Sequence, residues 1–132
     1  MSNLAGLEGL TTINSTLFLS GNSGLNSLDG LDNLTTLGTL IIDNNPGLSD
    51  ISALENITAI PGSIFIQSNN LSSLTGLQNV SSSGFTTISS SALTSLDGLL
   101  GLTTVAGLQV QTSNNLTNLD GLQNLTTIKR YT

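Results

Sequence analysis

The chain has 132 residues, enough for one domain, with a net charge of −6, 8% charged residues and 3% aromatic residues. Its only basic residues, Lys129 and Arg130, cannot neutralise a row of phosphates, so we expect no nucleic acid as a partner. Cysteine and histidine are absent, which excludes disulfides, thiolate or imidazole metal ligands and Cys- or His-based catalysis. No apolar run approaches the roughly 20 residues of a membrane span, so no membrane insertion is expected.

A phrase of the form L-x-G-L, or a close variant of it, recurs along the whole chain. Its last leucine falls at Leu7, Leu31, Leu54, Leu77, Leu99 and Leu122. The successive differences between these numbers are 24, 23, 23, 22 and 23. A period this regular lies within the range of leucine-rich repeats.

Each repeat also contains an apolar pair of the form L-x-L, and alternate residues of a strand face the same side of a sheet. The pairs are Leu17/Leu19, Leu40/Ile42, Ile64/Ile66, Thr86/Ile88 and Leu108/Val110, and Tyr131 would open a sixth. We therefore predict a β-solenoid of the leucine-rich repeat type, with about six rungs of 22–24 residues. Short parallel strands and irregular or 3₁₀ arcs would form each rung. The solenoid is expected to be a single domain over residues 1–132 without recognisable caps.

Three segments carry a family resemblance: Leu25–Asn45, Leu71–Val80 and Leu116–Thr127. They resemble the leucine-rich repeats of receptor L-domain-like proteins, which include bacterial and fungal surface proteins. The segment Leu48–Thr58, LSDISALENIT, is similar to internalin-type repeats of bacterial adhesins. The resemblance implies an extracellular or cell-surface location and binding to a protein or glycan surface. It implies no catalytic residues, and a targeting segment is expected to be missing from this chain.

Polar residues that interrupt the pattern set two expectations for the packing. Asparagines or a serine follow the strands and should hydrogen-bond the backbone of the turn. They are Asn22, Asn45, Asn69, Ser91 and Asn114. In the fourth rung, Ser83 and Thr86 take positions that hold Leu or Ile elsewhere. Phe85 or a local register shift should fill the resulting space.

The middle residue of each predicted strand should point outward and form a column along the solenoid. This candidate contact surface consists of Phe18, Ile41, Phe65, Thr87 and Gln109. Exposed apolar stripes of this kind mark contact sites. The alternative is a strand register shifted by one residue, which would turn these side chains inward.

Sequons of the form N-x-S/T begin at Asn14, Asn33, Asn56, Asn70, Asn79, Asn115 and Asn124. In a glycosylating secretory pathway they would coat the solenoid with sugar. The alternative is that N-L-T follows simply from the repeat consensus.

Threonine pairs suggest a second use for the repeated surface. They are Thr11/Thr12, Thr35/Thr36, Thr103/Thr104 and Thr126/Thr127. A regular ladder of hydroxyl groups on a chain with few charges makes ice binding a candidate function. The pairs are predicted to lie in arcs instead of on the flat strand face, which counts against it.

The outermost repeats could join copies of the chain end to end. The candidate contacts are Leu4, Leu7, Leu125, Ile128 and Tyr131. The acidic residues Asp29, Asp97 and Asp120 recur at one position, and we interpret them as a solvated face without catalytic or metal-binding function. We therefore predict a non-catalytic interaction module without a cofactor, acting in adhesion or as a surface scaffold. The alternative is a subunit of a self-assembling extracellular fibre, glycosylated or not.

Overall fold

The computed structural model describes residues 1–67 and 70–129 as a parallel-strand β-solenoid. Its sheet has the strand order β1-β2-β4-β5-β6-β7, with β3 paired to β5. The bounds are Thr12–Ser20 (β1), Thr36–Asp43 (β2), Ala59–Ile60 (β3), Ile64–Gln67 (β4), Ser82–Ser89 (β5), Thr104–Gln111 (β6) and Thr127–Ile128 (β7). All of these pairings are parallel. The predicted β-solenoid with parallel strands is confirmed.

The described residues form about five turns, one fewer than the six rungs expected. Strand β7 contains two residues and pairs with the start of β6 through Thr104–Thr127 and Val105–Ile128. Tyr131, which was expected to open a sixth inward pair, lies outside the described residues. The repeat period agrees with the strand register, because Leu17 pairs with Leu40 and Leu40 pairs with Ile64.

The core is aliphatic and lies inside the coil. The predicted inward pairs form two columns in register across β1, β2, β4, β5 and β6. In the middle turns Leu40, Ile42, Ile64 and Ile66 are at most 1% exposed. Removing these side chains from water is the main stabilising contribution, because each turn stacks its apolar edge on the next.

The strands are longer than the L-x-L pairs from which they were predicted. Strands β2, β5 and β6 have eight residues each and begin at or next to the second residue of the threonine-pair position. Thr12 pairs with Thr36, and Thr104 pairs with Thr127. The second threonine of each pair therefore belongs to the sheet, and the predicted placement in the arcs was wrong for these residues, whereas the first threonine of each pair lies outside the strands. Threonine is β-branched and suits an extended backbone.

The arcs return the chain in tight turns, and three of them contain the expected 3₁₀ helices, Ser52–Leu54, Asp97–Leu99 and Asp120–Leu122. Glycine is required where neighbouring arcs touch. Gly30 has φ +108°, and a Cβ atom there would lie 2.2 Å from the carbonyl oxygen of Leu4. At Gly98 the backbone conformation is ordinary, but a Cβ atom would lie 2.2 Å from the carbonyl oxygen of Leu74. The recurring glycines thus allow arcs to stack at backbone contact distance.

The fourth rung keeps its polar residues inside by pairing them. Thr86 is fully buried, and its hydroxyl group lies 2.7 Å from that of Ser83. Phe85 does not fill the space between them, contrary to expectation. Phe85 directly precedes Thr86 in the strand, faces outward and is 38% exposed. The two hydroxyl groups satisfy each other, so the buried position needs no aromatic ring.

The turn after each strand is held by polar side chains, as the asparagine pattern predicted in part. The buried Asn45 donates from Nδ2 to the carbonyl of Leu19 at 2.9 Å, and its Oδ1 accepts from the Asn22 backbone N–H at 2.9 Å. In the later turns, Ser113 Oγ accepts from the Ser90 backbone N–H at 3.3 Å. Ser90 and Ser113, not Ser91 and Asn114, therefore occupy the corresponding position. Asn69 lies outside the described residues.

Pro61 interrupts the ladder between the second and third turns. Its turn splits into β3 and β4, and the register with β2 begins only at Leu40 and Ile64. Ile60 pairs with Ser83 of the fourth turn but belongs to no ladder with β2. Proline has no backbone N–H to donate to the preceding rung. Asn14, Gly38 and Pro61 border a surface cleft at this gap.

Candidate interaction face

The predicted contact column is present in the structure. Phe18 pairs with Ile41, Ile41 with Phe65, Phe65 with Thr87, and Thr87 with Gln109. Phe18 is 62% exposed, whereas the neighbouring Leu19 is buried. The strand register expected from period-two alternation therefore applies in all five turns. Thr87 differs from the others because it is buried at 8% exposure and offers little surface.

All three phenylalanines of the chain lie on this outward side of the sheet. Phe18 and Phe65 belong to the predicted column, and Phe85 lies two residues before Thr87 on the same face. Diagonal neighbours on adjacent strands have Cα atoms about 7–8 Å apart. Phe85 therefore continues the apolar strip where Thr87 interrupts it. We call the strip formed by Phe18, Ile41, Phe65 and Phe85 the aromatic strip.

Phe85 was not predicted as a surface residue, although a signal existed. Thr86 was assigned to the inward column, and strict alternation then places Phe85 outward. Its strand partner is Gly107. A Cβ atom at Gly107 would lie 2.4 Å from both Cδ2 and Cε2 of the Phe85 ring. The ring therefore lies directly over the Gly107 backbone, and the glycine makes room for it.

Neutral polar side chains surround the aromatic strip. On β6, Gln109 donates from Nε2 to Oε1 of Gln111 at 2.8 Å. Gln67 and Ser89 lie in register with Gln111. Asp43, at the end of β2, is the only charged residue at the outward positions of these strands in the described part of the chain. The face is thus apolar along its centre and almost uncharged at its margin.

The aromatic strip is narrow. Neighbouring strands lie about 4.8 Å apart, so the strip extends about 14 Å from Phe18 on β1 to Phe85 on β5. Phe18, Ile41 and Phe65 lie in one register, and Phe85 is offset from it by two residues, or about 7 Å. The aromatic strip crosses the strands and runs along the solenoid axis.

The seven sequon asparagines are exposed, but five of them also link neighbouring turns. Asn33 donates from Nδ2 to the carbonyl of Glu8, Asn56 to that of Asp32 and Asn79 to that of Glu55, each at 2.7 Å. Two further sequon asparagines make the same contact at 2.7 Å, Asn115 with the Ser91 carbonyl and Asn124 with the Leu100 carbonyl. We call these repeated side-chain contacts between neighbouring turns the amide ladder; Asn14 and Asn70 do not belong to it. The amide ladder gives the repeated asparagine a structural use that does not require sugar.

The threonine pairs form an ordered array. Thr35 Oγ1 donates to the Thr11 carbonyl at 3.2 Å, and Thr103 Oγ1 donates to the Ser81 carbonyl at 3.0 Å. Thr126 Oγ1 repeats this contact with the Thr103 carbonyl at 3.2 Å. The first hydroxyl of three of the four pairs, all except Thr11/Thr12, is therefore held by the preceding turn. Its oxygen keeps lone pairs that face solvent.

The residues expected at the ends differ in their exposure. Leu7 is 42% exposed and Ile128 is 60% exposed, and Leu125 is partly buried. Leu4 is buried, because its side chain joins the core. Its backbone N–H donates to the carbonyl of Asp29 at 2.9 Å. Leu4 therefore offers little surface for an end contact. Tyr131 lies outside the described residues.

Two of the acidic residues, Glu8 and Asp50, accept hydrogen bonds from backbone N–H groups two residues away. Glu8 accepts the N–H of Gly6 at 2.9 and 3.0 Å, and this hydrogen bond holds the pKa of the Glu8 carboxyl below its usual value. The Asp50 pKa is likewise lowered by the hydroxyl and N–H of Ser52. Asp29, Asp97 and Asp120 are exposed. Within residues 1–67 and 70–129, no three carboxylates come together as a metal-binding group.

No helix among the described residues has the length and apolar character needed to cross a membrane. Protein-family models, curated proteins and solved structures yield no significant match to the chain.

Proposed function

We propose that this protein is a non-catalytic, extracellular or cell-surface interaction module of the leucine-rich repeat type. Its sheet face would recognise a partner through the aromatic strip. The observation that carries the proposal is the placement of all three phenylalanines on the outward side of the sheet, while the core is built from Leu and Ile. A buried Phe contributes about 1.5–3 kcal/mol, so leaving Phe18 and Phe85 exposed and Phe65 partly exposed forgoes packing energy that the fold could use.

The repeated backbone supports this role, because the rungs hold Phe18, Ile41 and Phe65 in register before any partner arrives. A rigid surface loses little conformational entropy on binding. Reaction chemistry has no support on this face, since the side chains around the strip are amides, hydroxyls and the single carboxylate of Asp43.

The proposal is tested by measuring binding to a panel of immobilised cell-wall polysaccharides and purified extracellular matrix proteins. We expect the wild-type chain to bind at least one of them and Phe18→Ser/Phe65→Ser to lose about tenfold or more in affinity. Leu119→Ser is the matched control, because Leu119 is 58% exposed but lies outside the face. Equal binding by the wild type and the double variant, or no binding to any panel member, would refute the proposed function.

Ice binding is a second candidate, favoured by the threonine array. Thr36 and Thr104 lie within parallel strands, and the hydroxyl groups of Thr35 and Thr103 are held by the preceding turns. Such an array presents hydroxyl and methyl groups at the strand spacing of about 4.8 Å. The objection that the pairs lie in arcs holds for Thr35 and Thr103 but not for the strand residues Thr36 and Thr104.

An ice-recrystallisation assay tests this candidate. We expect the wild-type chain to slow the growth of ice grains and Thr36→Lys/Thr104→Lys to abolish the effect. Thr94→Lys, an exposed threonine in an arc, is the control. If the wild type slows ice growth no more than serum albumin at the same concentration, ice binding is rejected.

A further inference from the structure

The chemistry of the sheet face narrows the class of partner. We propose that the face binds a neutral polysaccharide chain that lies along the solenoid axis, over the aromatic strip. This inference rests on the proposed function and names the ligand of the same site. Four features of the face carry it: its charge, its area, the direction of the strip and the orientation of the Phe85 ring.

The charge of the protein selects against ionic partners. The chain carries −6 overall, and Asp43 is the only charged side chain at the outward positions of the described strands. An anionic polymer would be repelled by the whole molecule. A cationic partner would find one carboxylate at the face, whereas an electrostatically steered interface has complementary charges across it. A neutral ligand fits both observations.

The area of the aromatic strip disfavours a folded protein as the partner. A standard protein–protein interface buries about 800 Å² on each side, whereas the strip consists of four side chains, and two of them, Ile41 and Phe65, are only partly exposed. A thin polymer needs less, because it contacts the protein along a line and uses the same few side chains in succession.

The direction of the strip disfavours an added peptide strand. An extended peptide that joins a sheet pairs with the backbone of an edge strand and runs along the strands. Phe18, Ile41 and Phe65 follow one another across the strands and use no backbone groups. A ligand that contacts all of them must cross the strands and follow the solenoid axis.

The Phe85 ring provides a stacking platform. It lies directly over Gly107, with Cδ2 and Cε2 2.4 Å from the position of a Cβ atom there, so it covers the backbone and keeps its outer side for a ligand. The face of an aromatic ring carries partial negative charge, and the C–H groups on one side of a pyranose ring are its natural partners. Gln109 and Gln111 hydrogen-bond each other at 2.8 Å and keep one amide oxygen and further N–H groups for sugar hydroxyls.

Co-sedimentation with insoluble polysaccharides tests the inference. The probes are microcrystalline cellulose, chitin and a linear β-1,3-glucan, with calcium alginate beads as the anionic comparison. We expect saturable binding to at least one neutral polymer and little binding to alginate. Phe85→Ala should weaken binding about tenfold, and Leu119→Ser should not change it.

Gly107→Ala provides a second, independent variant. The added methyl group must push the Phe85 ring aside, so binding should fall about as much as in Phe85→Ala although the ring is still present. The double variant Phe85→Ala/Gly107→Ala should bind like Phe85→Ala alone. Thermal unfolding of each variant should stay close to that of the wild type, since the side chain that yields is at the surface.

The possible outcomes separate this inference from the proposed function. If the chain binds a matrix protein through Phe18 and Phe65 but binds no neutral polysaccharide, the polysaccharide is refuted as the ligand and the proposed interaction module is retained. Equal sedimentation with alginate and with the neutral polymers would also refute a neutral polysaccharide as the ligand. If Phe85→Ala and Gly107→Ala leave neutral polysaccharide binding unchanged, the assignment of the binding site to the aromatic strip is refuted.

Discussion

At the scale of single residues, a sequon asparagine can serve both as a glycosylation acceptor and as a hydrogen-bond donor to the preceding turn. Asn56 begins an N-I-T sequon, and its Nδ2 also donates to the carbonyl of Asp32 in the preceding turn at 2.7 Å. An exposed backbone carbonyl could be hydrated instead, so the hydrogen bond adds a modest stabilisation. Repetition over several turns makes the ladder a continuous link between the arcs.

Two variants distinguish the structural use of Asn56 from glycosylation. Asn56→Ala and Thr58→Val both destroy the sequon, but only Asn56→Ala removes the link to Asp32. In unglycosylated protein, we expect Asn56→Ala to lower the free energy of unfolding by about 0.5–1.5 kcal/mol and Thr58→Val to leave it nearly unchanged, as measured by urea denaturation. Equal losses in both variants would argue against the ladder.

The inward or outward direction of most strand residues could be predicted from alternation alone. Leu40 and Ile64 face the core, and Phe18 and Phe65 face outward, because a buried parallel rung leaves no freedom for a register slip. The outward position of Phe85 was not predicted, because two polar residues at core positions, Ser83 and Thr86, were expected to need a large neighbour. A hydroxyl pair solved that problem locally, and pairing between two side chains three residues apart leaves no mark on the repeat pattern.

At the scale of the elements, the fourth rung tests how a polar pair is accommodated inside a strand stack. Ser83 and Thr86 are buried, and their hydroxyl groups lie 2.7 Å apart, with the Gly84 carbonyl at 3.4 and 3.5 Å as a weaker second acceptor. Removing one hydroxyl leaves the other with a poor partner, and a buried polar group without one is costly.

We expect Ser83→Ala and Thr86→Val each to lower the free energy of unfolding by about 1–3 kcal/mol. The double variant should be nearly neutral relative to the wild type, because no unsatisfied group remains. Urea denaturation of the four proteins forms a double-mutant cycle. Additive losses in the double variant would show that the hydroxyl pair is not the relevant interaction.

The aliphatic columns give the second prediction at this scale. Leu40 is fully buried between the strands of neighbouring turns, and Ile128 on β7 is 60% exposed. Leu40→Ala should cost about 2–5 kcal/mol, since it leaves a cavity that the stacked rungs cannot close. Ile128→Ala should cost much less. A similar loss for both residues in chemical denaturation would contradict the described packing.

The extent of the strands was harder to predict than their number. The L-T-T-L segment breaks period two with two adjacent polar residues, so the sequence favoured an arc. Stacking adds what the single repeat lacks. Thr36 pairs in register with Thr12 of the preceding turn, Thr104 pairs with Thr127 of the next turn, and the backbone ladder extends through them. Cross-turn pairing is a tertiary effect, and one repeat considered alone does not contain it.

At the scale of the whole molecule, the charge sets the response to pH. The hydroxyl group of Ser52, together with the Ser52 N–H that donates to Asp50 Oδ1 at 2.7 Å, lowers the pKa of the Asp50 carboxyl from the ordinary value of 3.8. A carboxyl with a lower pKa in the folded state stabilises the fold above its unfolded pKa. It loses this contribution as the pH falls through the folded pKa.

We therefore expect the melting temperature to fall as the pH is lowered from about 4, the ordinary pKa of Asp and Glu, through the lower pKa values that the Asp50 and Glu8 carboxyls have in the folded state. Asp50→Asn keeps an acceptor for the Ser52 N–H but cannot titrate, so its melting temperature should depend less on pH. Calorimetry between pH 7 and pH 2 measures the melting temperatures of the wild type and of Asp50→Asn. A melting temperature that rises steadily on acidification would show that relief of the −6 net charge outweighs the lost hydrogen bonds.

The outer turns raise the question of assembly. Leu119 and Ile128 are 58% and 60% exposed, and Leu7 in the first turn is 42% exposed. If these surfaces join copies end to end, sedimentation velocity should show concentration-dependent association that Ile128→Glu abolishes. Electron micrographs should then show filaments. Monodisperse particles at high protein concentration would reject the fibre alternative.

Pro61 lies between a block of two turns and a block of the later turns, and the strand pairing between these blocks differs along the length of the strands. On the outward face, β2 and β4 are joined from Leu40 and Ile64 onward, whereas on the side of Thr36 and Ala59 the second and third turns share no ladder. In a linear array, stability is the sum of the turns and of the interfaces between neighbours. Among the interfaces between the first five turns, this one has the shortest ladder. We therefore expect the second and third turns to separate before the other inner turns do, and the amide protons of the two turns before this interface to exchange independently of those after it.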